Sequence, residues 1–248
     1  AVTVHFIGAG PGAADLLTLR AVEFLRSSPV CVYAGTYIDD AILDHCSAGT
    51  RLVDTAKLDL DAITGELVAA HERGEDVARL CSGDPSLYSA LAEQSARLDA
   101  AGVPWDVTPG VPAYAAAAAA LGVELTVPEV TQSVVLTRAQ ARSTAMPDTE
   151  ALKNFAATRA TLALHLAITR TRILTEELTE FYGPECPAIV VFHASKPDEL
   201  ILRGTLADIA DQVEAADLRQ AAVILVGPAL ARRVVTESHL YDACRDRS

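Results

Sequence analysis

Three short apolar runs, each entering a loop that couples glycine with proline, constrain this chain more than any other feature. Residues 2–7 lead into Gly8-Ala9-Gly10-Pro11-Gly12, residues 76–81 into Ser82-Gly83-Asp84-Pro85, and residues 105–107 into Pro109-Gly110-Val111-Pro112. Short β-forming runs bounded by such residues read as strands. A further strand is expected at 30–33. Helical spacing falls between them, at 15–26 with Leu16, Leu19, Ala21 and Leu25 near one face, and at 62–73, 86–101 and 112–121. Strand and helix in alternation predict a mostly parallel sheet with helices packed on it. In such sheets ligands bind where strands end. Glycine admits close backbone approach or positive φ, and proline stiffens the loop. An ordinary βα turn accounts for any one of the loops alone. Three together predict a preformed pocket along one sheet edge.

The stretch "VELTVPEVTQ" at 123–132 loses the helical pattern and is read as the connection between two domains, 1–127 and 128–248. The second half offers strands at 133–137, 161–166, 188–193, 200–204 and 221–226, with helical segments at 169–182 and 205–216. The fold class is therefore α/β, with two α/β domains, the first carrying a mostly parallel sheet and the second a mixed one.

Half of the 248 residues are hydrophobic, yet no run approaches the ~20 apolar residues of a membrane span. No basic segment precedes an apolar one, so no signal peptide is expected. Cysteines at 31, 46, 81, 186 and 244 are widely spaced and form no Cys-x-x-Cys. A disulfide framework or structural zinc site is not expected, and a reduced, cytoplasmic setting is. The six histidines lack metal-ligand spacing. A net charge of −13 argues against nucleic acid or anionic lipid as partner. Residues 1–127 hold 7 basic and 17 acidic side chains, and residues 128–248 hold 13 and 16. An anionic ligand should draw its cations mainly from the second half.

Residues 8–13 fit a loosened dinucleotide fingerprint, G-x-G-x-x-A. That reading expects an acid ~20 positions on, at the end of the second strand. The strand ends "VCVYAG", with no acid before Asp39, and Pro11 removes a backbone donor from the turn. A nicotinamide-dependent oxidoreductase is thereby disfavoured.

The loops taken together resemble the tetrapyrrole methyltransferases. The likeness rests on "GAGPG" (8–12), "RLCSGDPSLYS" (79–89) and "TPGVPAYAAAAAALGVELT" (108–126). It continues through "VVLTRAQARSTAMP" (134–147), "FHASKPDELILRGTLADIA" (192–210) and "AAVILVG" (221–227). Within the family, Ala34 stands where enzymes methylating uroporphyrinogen typically carry aspartate, and Ser86 follows the central proline. Both features argue against the uroporphyrinogen branch, while "VYAGTYI" (32–38), "GDPSLYSAL" (83–91), "LGVELTVPE" (121–129) and the "LTRAQAR…MP" segment resemble the branch that acts on precorrins.

The resemblance implies S-adenosyl-L-methionine as methyl donor, a cleft between the two domains, a homodimer, and a precorrin-type tetrapyrrole rimmed with carboxylates as substrate. It implies cofactor contacts at Pro11, Ser82, Gly83, Asp84, Leu87, Pro112 and Ala113, and from the second half at Leu166, Ala194 and Ala229. Asp84 also has an ordinary role open to it as a helix N-cap. Arg138 and Arg142 are candidates to meet substrate carboxylates, because arginine pairs them in a fork; a solvated loop face is the alternative. His193 reads as a packing or hydrogen-bonding histidine rather than a catalyst. Nothing in the sequence singles out a catalytic base. Two departures from the family are Ala13, where aspartate is frequent, and Leu166, where methionine is common. A metallated substrate, another precorrin intermediate or ring carbon, and a non-catalytic tetrapyrrole carrier are the alternatives at this level, although a carrier would not need three stiff loops.

Overall fold

The apolar run at the start becomes strand β1, Val4–Gly8, and its partners come from far along the chain. The computed structural model describes residues 2–139 and 145–231. The chain divides into two compact units, the first ending at Ala116 and the second beginning at Ala117.

The first unit continues with α1 (Leu19–Ser27), β2 (Val30–Tyr33), α2 (Asp40–Leu43), β3 (Arg51–Asp54) and α3 (Leu60–Glu72). There follow β4 (Val77–Cys81), α4 (Leu91–Ala100), β5 (Trp105–Thr108) and α5 (Ala113–Leu121), the last running on into the second unit. The sheet order is β3-β2-β4-β1-β5, with every neighbouring pair parallel. A parallel sheet needs cover on both faces, so its central strands read as near-continuous apolar runs. Phe6, Val32 and Val77 pack with Leu67, Ala70 and Leu98 of α3 and α4. Ile7, Cys31 and Leu80 pack on the other face with Ala21 and Leu25 of α1 and Ile42 of α2.

Helix boundaries follow local capping. Thr18 accepts a hydrogen bond from the Ala21 N–H at 3.1 Å and starts α1 one residue later. Ala21 and Leu25, four apart, therefore face the core. Leu16 lies in a short 3-10 turn and Leu19 is 90% exposed, so neither joins the buried face expected of it. Asp59 caps α3 through the Ala62 N–H, and the helix begins at Leu60 rather than 62. The expected helix at 86–101 begins only at Leu91.

The second unit holds β6 (Val134–Arg138), α6 (Leu152–Ala156), β7 (Thr161–His165), α7 (Thr171–Tyr182), β8 (Pro187–Phe192), β9 (Leu200–Thr205), α8 (Ile209–Ala215) and β10 (Ala222–Val226). Its sheet order is β6-β7-β10-β8-β9. The pair β6 and β7 is parallel and the other pairs are antiparallel. Leu162, Leu164, Val190, Ile224 and Val226 pack with Leu174 and Leu178 of α7 and Ile209 and Val213 of α8. The stretch 123–132, read from sequence as the connection, is tied into this unit. The Thr161 hydroxyl donates to the Leu125 carbonyl at 2.8 Å, and Val127 bridges Thr131.

Candidate functional site

The three glycine-proline loops follow β1, β4 and β5, which are neighbours in the first sheet. They close on one another at its carboxyl edge. Gly10 and Gly83 exchange two backbone hydrogen bonds, at 3.1 and 2.8 Å. A Cβ on Gly8 would lie 2.4 Å from the Gly110 nitrogen, and one on Gly110 would lie 2.3 Å from the Gly83 carbonyl oxygen. These two glycines thus serve loop-to-loop contact. Gly83 has room for a Cβ, 3.6 Å from the Pro112 Cα, but its φ of +66° lies in the left-handed region that L side chains rarely adopt.

Asp84 locks the arrangement. Its Oδ2 accepts from the Gly110 N–H at 2.8 Å, and its Oδ1 accepts from the Ser86 N–H at 2.9 Å and from the Ser86 hydroxyl. Burial by itself raises the carboxyl pKa. The hydrogen bonds from the Ser86 hydroxyl, the Gly110 N–H and the Ser86 N–H outweigh it and hold the value below the ordinary 3.8. The N-cap alternative is not realised, since α4 starts after Ala90 and has no side-chain cap. Around this clasp Ser82 is exposed, Gly83 is buried, and Pro11, Leu87, Pro112 and Ala113 are half-buried. The structure brings these residues to one edge.

The segment after Asp84 is a shaped loop. Ser89 Oγ donates to the Pro85 carbonyl, and Tyr88 and Ala90 both take left-handed φ, 53° and 56°. Gln94 of α4 donates from Nε2 to the Ala90 carbonyl at 3.1 Å and to the Ser89 carbonyl at 3.4 Å, while its Oε1 accepts from Arg79 Nε at 2.9 Å. Sequence reading missed Arg79 and Gln94. The available signal was a lone basic residue in an otherwise apolar central strand.

In the second unit β7 and β8 both run antiparallel to β10, so they share a direction with each other and with β6. Arg138 ends β6 in register with His165, Leu166 follows β7, and His193-Ala194 follow β8. The topology therefore gathers Arg138, Leu166 and Ala194 at one edge. Ala229 does not join them. It follows β10, whose last residue Val226 lies opposite Leu162 and Ala188, and the Gly227 N–H donates to the Pro187 carbonyl. That is the opposite edge, roughly 13 Å away at ~3.3 Å per residue. Arg142 lies outside the described residues.

The edge bearing Arg138 concentrates unusual backbone. Leu166, His193 and Ala221 have φ of 51°, 47° and 54°, and Leu166 turns an apolar side chain 65% exposed. Left-handed non-glycine residues cluster at ligand sites, where the fold holds them against their preference. His193 stacks on Phe192 and pairs through Nδ1 with Asp198 Oδ2 at 2.8 Å, and this contact lowers the Asp198 pKa. It hydrogen-bonds and packs as its sequence setting suggested.

Chemically, the first edge offers a stiff ledge of backbone and small side chains. The Asp84 carboxylate is taken up in holding the loops. Such a surface can position a ligand by shape and peptide groups. Residues 3–210 match the family of Tetrapyrrole (Corrin/Porphyrin) Methylases. The chain is 54% identical over 247 residues to the Rhodococcus erythropolis precorrin-4 C(11)-methyltransferase, a match covering 100% of this chain and 99% of that one. The X-ray structure of a cobalt precorrin-4 methyltransferase aligns with a TM-score of 0.89 at 36% identity, covering 92% of this chain and 96% of that one. The Thermus thermophilus uroporphyrin-III C-methyltransferase, solved in complex with S-adenosylhomocysteine, aligns with a TM-score of 0.75 at 27% identity, covering 92% and 93%. With its loops, its two α/β units and these relatives in agreement, the chain belongs to the tetrapyrrole methylase family.

Proposed function

We propose that this protein is an S-adenosyl-L-methionine-dependent methyltransferase that methylates precorrin-4 at ring carbon C-11, giving precorrin-5, in the building of the corrin ring of cobalamin. The observation that carries this reading is the end-to-end likeness to the Rhodococcus precorrin-4 enzyme in a chain whose three loops close into a clasp.

The clasp suits the methyl donor. A sulfonium group is disfavoured next to fixed cations, and segments 8–13, 82–90 and 109–113 contain no lysine or arginine. The nearby Asp84 carboxylate is held ionised. When bound, S-adenosyl-L-methionine supplies an activated methyl group. Pro11, Ser82, Gly83, Leu87, Pro112 and Ala113 hold the donor by shape and backbone, with Asp84 fixing the loops that present them. Leu166 and Ala194 are assigned to the same ligand. Ala229, at the other edge of the second sheet, keeps its assignment to the donor from the resemblance alone. Arg138 pairs with a substrate carboxylate, and Arg142 is assigned the same role from sequence alone. The chain's task is to hold ring carbon and methyl in line and keep water away, which supplies much of the rate in reactions of this kind. The ring carbon's electron pair forms the new bond, the old carbon–sulfur pair stays on sulfur, and one proton leaves the ring system. No residue is assigned as its acceptor.

We also propose a homodimer working in the cytoplasm. Support comes from the family likeness and from five widely spaced cysteines that form no Cys-x-x-Cys. Sedimentation at micromolar concentration checks the dimer: a single species at the 26.1 kDa subunit mass would refute it.

The decisive experiment supplies donor carrying a ¹³C-methyl group with precorrin-4 and with its cobalt complex. Label at C-11 of the metal-free ring, located by mass spectrometry and NMR, is the expected result. Label elsewhere, or none, overturns the assignment. Turnover of the cobalt complex alone moves the substrate to that form.

A further inference from the structure

We infer that Arg79, acting through Gln94, is a positioning residue for the methyl-donor site: the pair fixes the backbone of Ser89 and Ala90 and so sets the shape of the 82–90 loop. This inference rests on the function proposed above.

Arg79 stands in the middle of β4, every residue of which is buried. In register it lies beside Phe6 of β1 and Val32 of β2, on the face covered by Leu67, Ala70 and Leu98. It is only 7% exposed. A guanidinium in such a place ordinarily has a carboxylate partner. Among the described residues its hydrogen bonds go to neutral oxygens only: Gln94 Oε1 at 2.9 Å, the Leu80 carbonyl at 3.3 Å and the Val32 carbonyl at 3.5 Å. An apolar pair of similar volume would fill this core with less desolvation, so core stability does not account for the arrangement.

The loop does account for it. Arginine has donors and no acceptor. Gln94, 1% exposed, must therefore turn its oxygen to Arg79, and its amide NH₂ is driven the other way, onto the Ser89 and Ala90 carbonyls. The guanidinium selects which way the amide points. The chain it holds is one that needs holding, since Tyr88 and Ala90 are both left-handed. The loop is thus pinned at its start by Asp84 on Gly110 and at its end by Gln94, with half-buried Leu87 and exposed Tyr88 between.

The test compares Gln94→Glu, Gln94→Met, Arg79→Met and a control, Val103→Ala, which trims the same core. Calorimetry with S-adenosylhomocysteine, thermal midpoints and hydrogen exchange of the amides at 88–91 are measured on each. Gln94→Glu gives Arg79 a carboxylate partner but removes the amide donors. We expect its thermal midpoint to hold or rise, its affinity to fall roughly tenfold or more, and its 88–91 amides to exchange faster. Gln94→Met and Arg79→Met should lose affinity similarly. Val103→Ala should lower the midpoint and leave affinity unchanged. Wild-type affinity and exchange in Gln94→Glu would overturn the inference. So would an equal affinity loss in Val103→Ala, because affinity would then merely track stability. A wild type that does not bind S-adenosylhomocysteine refutes the donor reading instead, and the exchange rates at 88–91 still decide whether the latch exists.

Discussion

Asp84 closes a turn and a clasp with one carboxylate, and its pKa records both. Replacing it with asparagine keeps the shape and removes the charge from three accepted hydrogen bonds. The expected loss is about 1–3 kcal/mol at neutral pH, read by chemical denaturation. The sign with pH follows from a folded pKa held below 3.8. The contribution is fully present above the unfolded value and is lost as pH falls through the folded one. The gap between wild type and Asp84→Asn should therefore be constant above about pH 5 and shrink below about pH 4; a gap that widens in acid would contradict the assignment. Two glycines separate close approach from strain. Gly83→Ala meets ordinary contacts and pays only for a left-handed alanine, about 1–2 kcal/mol. Gly110→Ala drives a Cβ to 2.3 Å from a backbone oxygen that cannot swing away. It should cost clearly more, and equal denaturation midpoints for the two variants would refute the clasp. The glycines, prolines and Asp84 were legible as a loop set. Their partners were not, because Asp84 and Gly110 are 26 residues apart and no local pattern pairs them.

At the scale of elements, sequence reading succeeded where burial is continuous and failed where one or two side chains decide. The strand at 30–33 stood out as a short apolar run and the long helices as helical segments. The edge strand β3, four residues of which three are exposed, and the short helices α2 and α6 gave no periodic signal. Residues 86–90 carry an apolar pattern that continues a helix, yet Asp84, Ser89 and Gln94 hold them as a loop. Helix α1 shows the same lesson: its phase is set by Thr18, and two leucines expected inside lie outside. Thr18→Ala should destabilise the first unit by about 1 kcal/mol. A shift in denaturation midpoint with unchanged slope checks this, and no shift would mean that the cap does not set the start of α1.

For the whole molecule the charge pattern carries a prediction. A polycarboxylate approaching a chain of net charge −13 is repelled at long range and needs local cations. Arg138, at the carboxyl end of β6, is the described cation proposed for that role. Arg138→Ala should raise the precorrin KM by roughly ten- to a hundredfold, as expected for losing ~1.5–3 kcal/mol of charged hydrogen bonding. S-adenosylhomocysteine affinity should stay as it is. Unchanged KM, or an equal loss of cofactor affinity, would remove Arg138 from the substrate site. The two-unit α/β class was readable from alternation. The strand order of neither sheet was, since it depends on which distant segments pair.

That order has a consequence for how the protein is made. Strand β1 lies between β4 and β5 and, among the described strands, hydrogen-bonds to no other. On a translating ribosome, Val77 follows Gly8 only after about 70 residues, on the order of 4–14 s at ~5–20 residues per second. Throughout that interval the segment VHFIG has no neighbours to pair with and presents its apolar residues to whatever meets the nascent chain. β2 and β3 can pair with each other while β1 waits. Gly110 emerges later still, and only then do the three loops meet. The last step in assembling the first sheet is therefore also the step that creates the ledge for the ligand, so no chain shorter than the first unit carries it.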